Sequence, residues 1–161
     1  MLKIRSGIGY DIHRIENGNG LYIGGIKVSD HLTFIAHSDG DVLIHALIDS
    51  LLGASGEKDI GELFPDTDPA YKNISSIELL QKTKAVLSDQ KVEIINIDCV
   101  VVAEKPKILP FKPRIRSQIS TILGIPASDF NLKAKTKEKV DAVGRGEAIE
   151  CFCTSMIRIL D

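Results

Sequence analysis

Residues 2–13 alternate loosely between apolar and polar positions and include Gly7 and Gly9. That pattern predicts a first strand whose backbone makes a close approach or a bulge. Asn17-Gly18-Asn19-Gly20 is a turn cluster, and Leu21-Tyr22-Ile23, Gly24-Gly25 and Ile26-Lys27-Val28 read as a short hairpin arm. Residues 29–36 show no regular period. From Asp39 to Leu52 the period becomes helical: Ile44, Leu47, Ile48, Leu51 and Leu52 form one apolar stripe, Ser38 or Asp39 can cap its start, and Gly53 and Gly56 end it. Residues 59–68 predict a loop or one short helical turn, and residues 75–90 a second helix with Leu79, Leu80, Thr83, Val86 and Leu87 on one side. The Ile/Val-rich run 92–103 predicts a buried central strand. After the prolines 106, 110 and 113, Ile115, Ile119, Ile122 and Leu123 mark a third helix ending at Gly124, and residues 131–136 and 149–160 supply two further strands.

Strands and helices mixed in this order, without a strict βαβ rhythm, predict an α+β fold: a mixed β-sheet with helices on one face. The last strand places Phe152, Thr154 and Met156 on one side and Ile149, Cys151, Ile157 and Ile159 on the other, so both faces are partly apolar. Helices cover one of them. Packing against the same sheet of neighbouring copies would cover the second, which makes a homo-oligomer the expectation.

The length of 161 residues suits one domain, 1–161, and the formal charge of -2 supplies no polybasic field for nucleic acid or anionic membrane. No apolar run approaches a spanning helix, and the start of the chain moves directly into strand-like alternation rather than a secretory core, so the expected location is the cytoplasm. The three cysteines, Cys99, Cys151 and Cys153, are an odd number and read as buried core thiols rather than a disulfide framework.

Three of the four histidines lie in two short segments. Asp11 and His13, at i and i+2 of a strand, point to one face. In His37-Ser38-Asp39-Gly40-Asp41 through His45, helical spacing places Asp41, His45 and Asp49 on one polar stripe opposite the apolar one. Asp11, His13 and His45 would make a carboxylate–diimidazole set suited to Zn²⁺ with an open fourth position, polarising a phosphoryl oxygen; Asp41 or Asp49 is an alternative ligand or an imidazole partner. Backbone donors around Ser38 to Gly40 suit a phosphate. The carboxylates of residues 59–68 suit hydroxyl groups, and Lys133, Lys135, Lys137 and Lys139 would share one strand face if extended.

These segments, together with Gly9-Tyr10-Asp11-Ile12-His13-Arg14, Ile23-Gly24-Gly25, Ala36-His37-Ser38, His45-Ala46-Leu47, Asp59-Ile60-Gly61, Leu63-Phe64-Pro65-Asp66-Thr67-Asp68, Pro106-Lys107, Lys133-Ala134, Glu138-Lys139 and Gly144-Arg145-Gly146-Glu147, resemble the 2-C-methyl-D-erythritol 2,4-cyclodiphosphate synthase family over nearly the whole chain. The resemblance implies a phosphorus–oxygen lyase of non-mevalonate isoprenoid synthesis. Such an enzyme converts a CDP-linked methylerythritol 2-phosphate to the cyclic diphosphate with release of CMP, in a homotrimer with active sites between subunits. It further implies Zn²⁺ on Asp11, His13 and His45, substrate phosphate on His37 and Ser38, and a second divalent ion, Mg²⁺ or Mn²⁺, at Glu138. Asp59, Gly61, Phe64 and Asp66 would hold the methylerythritol, and Ala103, Lys107, Leu109, Ala134 and Thr136 the cytidine and phosphates; His37, Ser38 and Thr136 fall nearest the reacting groups. Lys135 departs from the family, where a small hydroxyl residue is common.

Some members bind an isoprenoid diphosphate near the trimer axis beside a bulky apolar residue, where this chain has Val140-Asp141-Ala142-Val143. Arg145 still offers a phosphate partner, or else pairs with Glu147 of a neighbouring subunit, and with Ala142 in place the expectation is a weak or absent axial ligand. Two other readings of the residues are a zinc phosphohydrolase, distinguished by linear phosphate products, and a non-catalytic trimeric nucleotide-binding module, distinguished by binding without turnover.

Overall fold

The computed structural model describes residues 3–65, 67–71 and 74–160. Its elements follow the chain as β1 Lys3–Asn17, β2 Leu21–Ile23, β3 Ile26–Ser29, β4 Leu32–Ile35, α1 Val42–Ser55, α2 Ile60–Leu63, α3 Ser76–Asp89, β5 Val92–Val102, α4 Lys112–Leu123, β6 Phe130–Lys135, α5 Asp141–Gly144 and β7 Ala148–Ile159. A five-stranded sheet runs β4-β1-β7-β5-β6, with only β5 and β6 parallel, and β2 and β3 form a separate hairpin. This is the mixed sheet predicted from the element order. The aperiodic segment 29–36, however, contains β4, which pairs with the end of β1 from Arg14↔Ile35 to Asn17↔Leu32.

Helix α1 is the hub of the core. Val42, Leu43, Ala46 and Ala54 are buried along with the predicted stripe, so α1 is apolar nearly all round rather than amphipathic. Each such fully buried aliphatic side chain contributes roughly 1.5–3 kcal/mol relative to exposure. The helix lies so close to β1 that a Cβ on Gly9 would sit 1.9 Å from the Ala46 carbonyl oxygen, and one on Gly7 2.0 Å from that of Ser50. These two glycines permit the contact.

Asp41, not Ser38 or Asp39, caps α1: its carboxylate accepts from the Ile44 N–H at 3.2 Å. It also accepts from the Gly24 and Gly25 N–H groups at 2.9 and 2.7 Å, fastening the β2–β3 hairpin to the helix. Burial pushes this carboxyl up to about 6, against the pull of those donors. Helix α3 starts on a Ser75 cap, and α4 ends on a left-handed Gly124, as their sequences imply.

Along β7, Ile149, Cys151, Cys153 and Ile157 are buried under the helices, and the three cysteines are free. The opposite sheet face exposes Ile4, Ile8, Tyr10 and Ile12 of β1 beside Phe152 and Met156 of β7, with Ile8 72% exposed. The Tyr10 and Phe152 rings pair there at 4.8 Å. No helix among the described residues is long and apolar enough to cross a membrane.

Candidate functional site

Strand β1 carries Asp11 and His13 on its helix-facing side, and one turn into α1 His45 meets them because the glycines bring the helix onto the strand. His45 Nδ1 stands 3.0 Å and His13 Nε2 3.2 Å from Asp11 Oδ2. One ligand atom from each of the three lies within 4.8 Å of the others, so the group can hold a metal ion. His13 Nε2 is the telling atom. It is buried and lacks a hydrogen bond of acceptable geometry, a state that costs free energy unless something else binds it. Two imidazoles and one carboxylate suit Zn²⁺ among the divalent ions, so these residues fit a metal centre.

The electrostatics agree. Burial pushes the Asp11 carboxyl up, but the neighbouring His13 and His45 imidazoles outweigh it and hold the group at about 2. Burial pulls His45 down, and the bond and charge of Asp11, with Asp41 and Asp39 behind it, raise it overall. A carboxylate ionised at any physiological pH thus anchors the group.

The group opens into a pocket of about 220 Å³. His37 and Ser38 line it on one side, and Gly61 and Phe64 face it from α2 and the residue after. Phe64 stacks edge-on against Tyr71 at 5.4 Å, giving the pocket an apolar wall. Asp49 lines the pocket too, but its carboxylate accepts from the Ile60 N–H at 2.8 Å and so positions α2 rather than joining the metal group. Asp41 is excluded altogether by its capping role. Asp59 caps α2 by accepting from the Glu62 N–H, and Asp66 lies outside the described residues.

The remaining predicted residues gather elsewhere. Ala103 donates its N–H to the Lys135 carbonyl where β5 and β6 end, and Ala134 pairs across from Val101. Lys107 and Leu109 are exposed on the loop after β5, and the Thr136 hydroxyl donates to the Glu138 carboxylate just after β6. In register, Asp11 faces Cys151, Cys151 faces Val101, and Val101 faces Ala134. Three strand spacings of about 4.8 Å put Ala134 roughly 14 Å from Asp11 across the sheet. One chain therefore does not join the two groups into one pocket.

The lysines do not share an extended face. Strand β6 stops at Lys135; Lys133 pairs with Asp98 at 2.6 Å, while Lys137 turns to Glu150. Arg145 pairs with Glu147 of its own chain, through two contacts of 2.8 and 3.1 Å. A residue the sequence reading missed is Ser76, fully buried at the start of α3, whose hydroxyl contacts His45 Nε2 at 2.9 Å. Its only sequence signal is a doubled serine at a helix start.

Comparison with known proteins gives this geometry a family. A 2-C-methyl-D-erythritol 2,4-cyclodiphosphate synthase of Caldicellulosiruptor bescii is 43% identical over 98% of this chain and 99% of its own length. One of Aquifex aeolicus is 43% identical over 97% of this chain and 98% of its own. A solved structure of IspF from Plasmodium falciparum in complex with CDP superposes with a TM-score of 0.87 at 37% identity, covering 98% of this chain and 97% of that one. The YgbB family matches residues 4–158, and this chain belongs to it.

Proposed function

We propose that this protein is a 2-C-methyl-D-erythritol 2,4-cyclodiphosphate synthase, a phosphorus–oxygen lyase acting in the non-mevalonate route to isoprenoid precursors. Its substrate is 4-diphosphocytidyl-2-C-methyl-D-erythritol 2-phosphate, and its products are the cyclic diphosphate and CMP. The observation that carries this reading is the Asp11, His13 and His45 group, with its orphaned His13 Nε2, opening into a pocket beside His37 and Ser38 in a chain of this family.

In the reaction an oxygen of the 2-phosphate forms a bond to the β-phosphorus, and the bond from that phosphorus to the CMP oxygen breaks, its electron pair leaving with CMP. No protein nucleophile enters, so positioning and charge supply the catalysis. Asp11, His13 and His45 would hold Zn²⁺, and Glu138 a second divalent ion, Mg²⁺ or Mn²⁺, whose charge would offset that of the crowded phosphate oxygens. His37 and the Ser38 hydroxyl line the metal group's pocket, where they can donate to a phosphate. Phe64 and Gly61 give the methylerythritol portion an apolar wall and room, and Asp59 with Asp66 would accept from its hydroxyls. Ala103, Lys107, Leu109, Ala134 and Thr136 would bind the cytidine and its phosphates, a use supported by the CDP in the Plasmodium relative.

We read the working assembly as a homotrimer with each site shared between two chains. Two facts support it: the proposed nucleotide-binding residues stand across the sheet from the metal group of their own chain, and the outer sheet face exposes a cluster of apolar side chains from β1 and β7. Arg145, held by Glu147 and flanked by Ala142, would offer little to an axial isoprenoid diphosphate. Incubating the purified protein with the CDP-linked substrate and both ions, then weighing the products by mass spectrometry, tests the function. Cyclic diphosphate plus CMP is the expected outcome; linear phosphate products or no turnover would refute it.

A further inference from the structure

We infer that Asp39 and Ser76 form a positioning pair that sets the tautomer and ring orientation of His45, and through it the metal affinity of the Asp11, His13 and His45 group. The inference rests on reading that group as the metal centre.

The hydrogen-bond arithmetic leads to it. Both carboxylate oxygens of Asp39 are directed at Ser76: Oδ2 accepts from the Ser76 N–H at 2.8 Å, and Oδ1 accepts from its hydroxyl. A serine hydroxyl has one proton and two lone pairs, and an ionised carboxylate only accepts. The Ser76 proton is therefore committed to Asp39, and the hydroxyl can meet His45 Nε2 at 2.9 Å only by accepting from it. Nε2 must carry a proton. In a neutral imidazole that leaves the lone pair on Nδ1, the nitrogen that faces Asp11 Oδ2 at 3.0 Å inside the ligand group. Asp39 also accepts from the Asp41 N–H at 3.2 Å, which ties the carboxylate to the start of the helix that carries His45. Ser76 is fully buried, so no solvent molecule stands ready to replace its hydroxyl.

Removing either member loosens this arrangement. Without the Ser76 oxygen, Nε2–H is a buried donor with no acceptor. The ring can then relieve the cost by turning over, which carries Nδ1 away from the ligand group and puts the non-ligating Cδ2 in its place. Without the Asp39 carboxylate, the Ser76 proton is free to point at Nε2, which favours the tautomer with its proton on Nδ1 and blocks the metal-facing lone pair. Partners of metal-bound histidines are typically worth about 10–100-fold in metal affinity.

The test is zinc affinity, measured by competition with a chromophoric chelator, for wild type, S76A, D39A and the S76A/D39A double variant. Urea unfolding of each metal-free protein identifies any that fails to fold, and D39A, on a loop, keeps the test open if S76A does not fold. Cobalt loading adds a readout independent of activity, because the visible bands report the geometry of the ligand atoms. The expected result is a loss of about 10–100-fold in S76A and in D39A, no further loss in the double variant, and a cobalt spectrum altered alike in both. Wild-type affinity and spectrum in folded S76A and D39A would overturn the inference while leaving the metal centre intact, as would fully additive losses. A wild-type protein that takes up no zinc would bring down the site reading and this inference with it.

Discussion

Gly9→Ala asks whether the contact between β1 and α1 builds the metal group. The new Cβ would lie 1.9 Å from the Ala46 carbonyl oxygen and 2.8 Å from both Ala46 C and Ser50 N, all backbone atoms that no side-chain rotation can clear. Restoring even the 3.0 Å that real Cβ contacts rarely undercut requires the helix and strand to separate by about 1 Å. His45 immediately precedes Ala46, whereas Asp11 and His13 stay on the strand, so that separation opens the ligand group directly. A metal site tolerates displacements of only about 0.5 Å. The expected outcome is a stability loss of about 3 kcal/mol and a loss of zinc affinity of about tenfold or more.

Two companion variants separate geometry from stability. Gly7→Ala meets the Ser50 carbonyl oxygen at 2.0 Å, beyond the far side of His45, and should destabilise as much while costing less zinc affinity. Gly53→Ala lies within α1 with nothing closer than the Ile8 carbonyl oxygen at 4.0 Å, and should stabilise by about 0.5–1 kcal/mol through helix propensity alone. Urea unfolding and chelator competition measure both quantities for all three. A folded Gly9→Ala protein that binds zinc as tightly as wild type would refute the claim that this close approach sets the ligand group.

Asp41→Ala leaves the Gly24, Gly25 and Ile44 N–H groups without their acceptor and should cost about 3 kcal/mol or more in urea unfolding; a loss under 1 kcal/mol would show that the hairpin does not depend on this cap. Because Asp41 is raised to about 6 from 3.8, its folded state holds the proton more tightly, so wild type should gain stability relative to Asp41→Asn as pH falls from about 6 towards 3.8. In the metal-free protein Asp11, lowered from 3.8 to about 2, contributes about 2 kcal/mol that is present above 3.8 and lost as pH falls towards 2. His45, raised from 6.5, contributes stability present below 6.5 and lost as pH rises through its folded value. His45→Ala should flatten both limbs, and an unchanged profile would break the assignment. Mixing inactive His45→Ala and Glu138→Ala proteins under subunit exchange should restore part of the activity, and verified exchange without any recovery would end the shared-site reading. Calorimetry with farnesyl diphosphate should show weak or no binding, against which tight binding abolished by Arg145→Ala would count.

Long periodic segments were legible because their burial is one-sided: β5, β7, α3 and α4 fall within a few residues of their predicted bounds. Asp11-x-His13 and His45 were legible because strand and helix spacing alone bring side chains to one face. What failed did so where tertiary contacts outrank local pattern. Strand β4 has four residues, too few for an alternation to show, and it pairs with β1 from Arg14↔Ile35 to Asn17↔Leu32, across a turn and a hairpin that no local period anticipates. Helix α1 reads as amphipathic because Asp41, His45 and Asp49 recur at helical spacing, yet each is satisfied internally, Asp41 by the hairpin glycines and Asp49 by α2. The cap went to Asp41 rather than Ser38 or Asp39 because Asp39 is occupied with Ser76, a partner 37 residues on that no local rule supplies.

The loop that carries Glu138 is tied to the exposed sheet face through a buried acid. Thr136 and Glu138 flank Lys137, and Lys137 reaches back to Glu150, a carboxylate only 4% exposed on the outer face of β7. The Tyr10 hydroxyl donates to the other oxygen of Glu150 at 3.1 Å, and Lys137 also lies 3.7 Å from Asp141. A buried acid is costly unless paired, and here its partners come from β1 and from the loop. The loop's conformation is thereby tied to the sheet surface that a second copy would cover. Glu138 and Lys139 hold positive φ angles of 52° and 64°, which non-glycine residues adopt only when their surroundings impose it. Covering the face would strengthen the Lys137–Glu150 pair by excluding water from it, and would fix Thr136 and Glu138 at the same time. Assembly would then order the loop that carries Thr136 and Glu138.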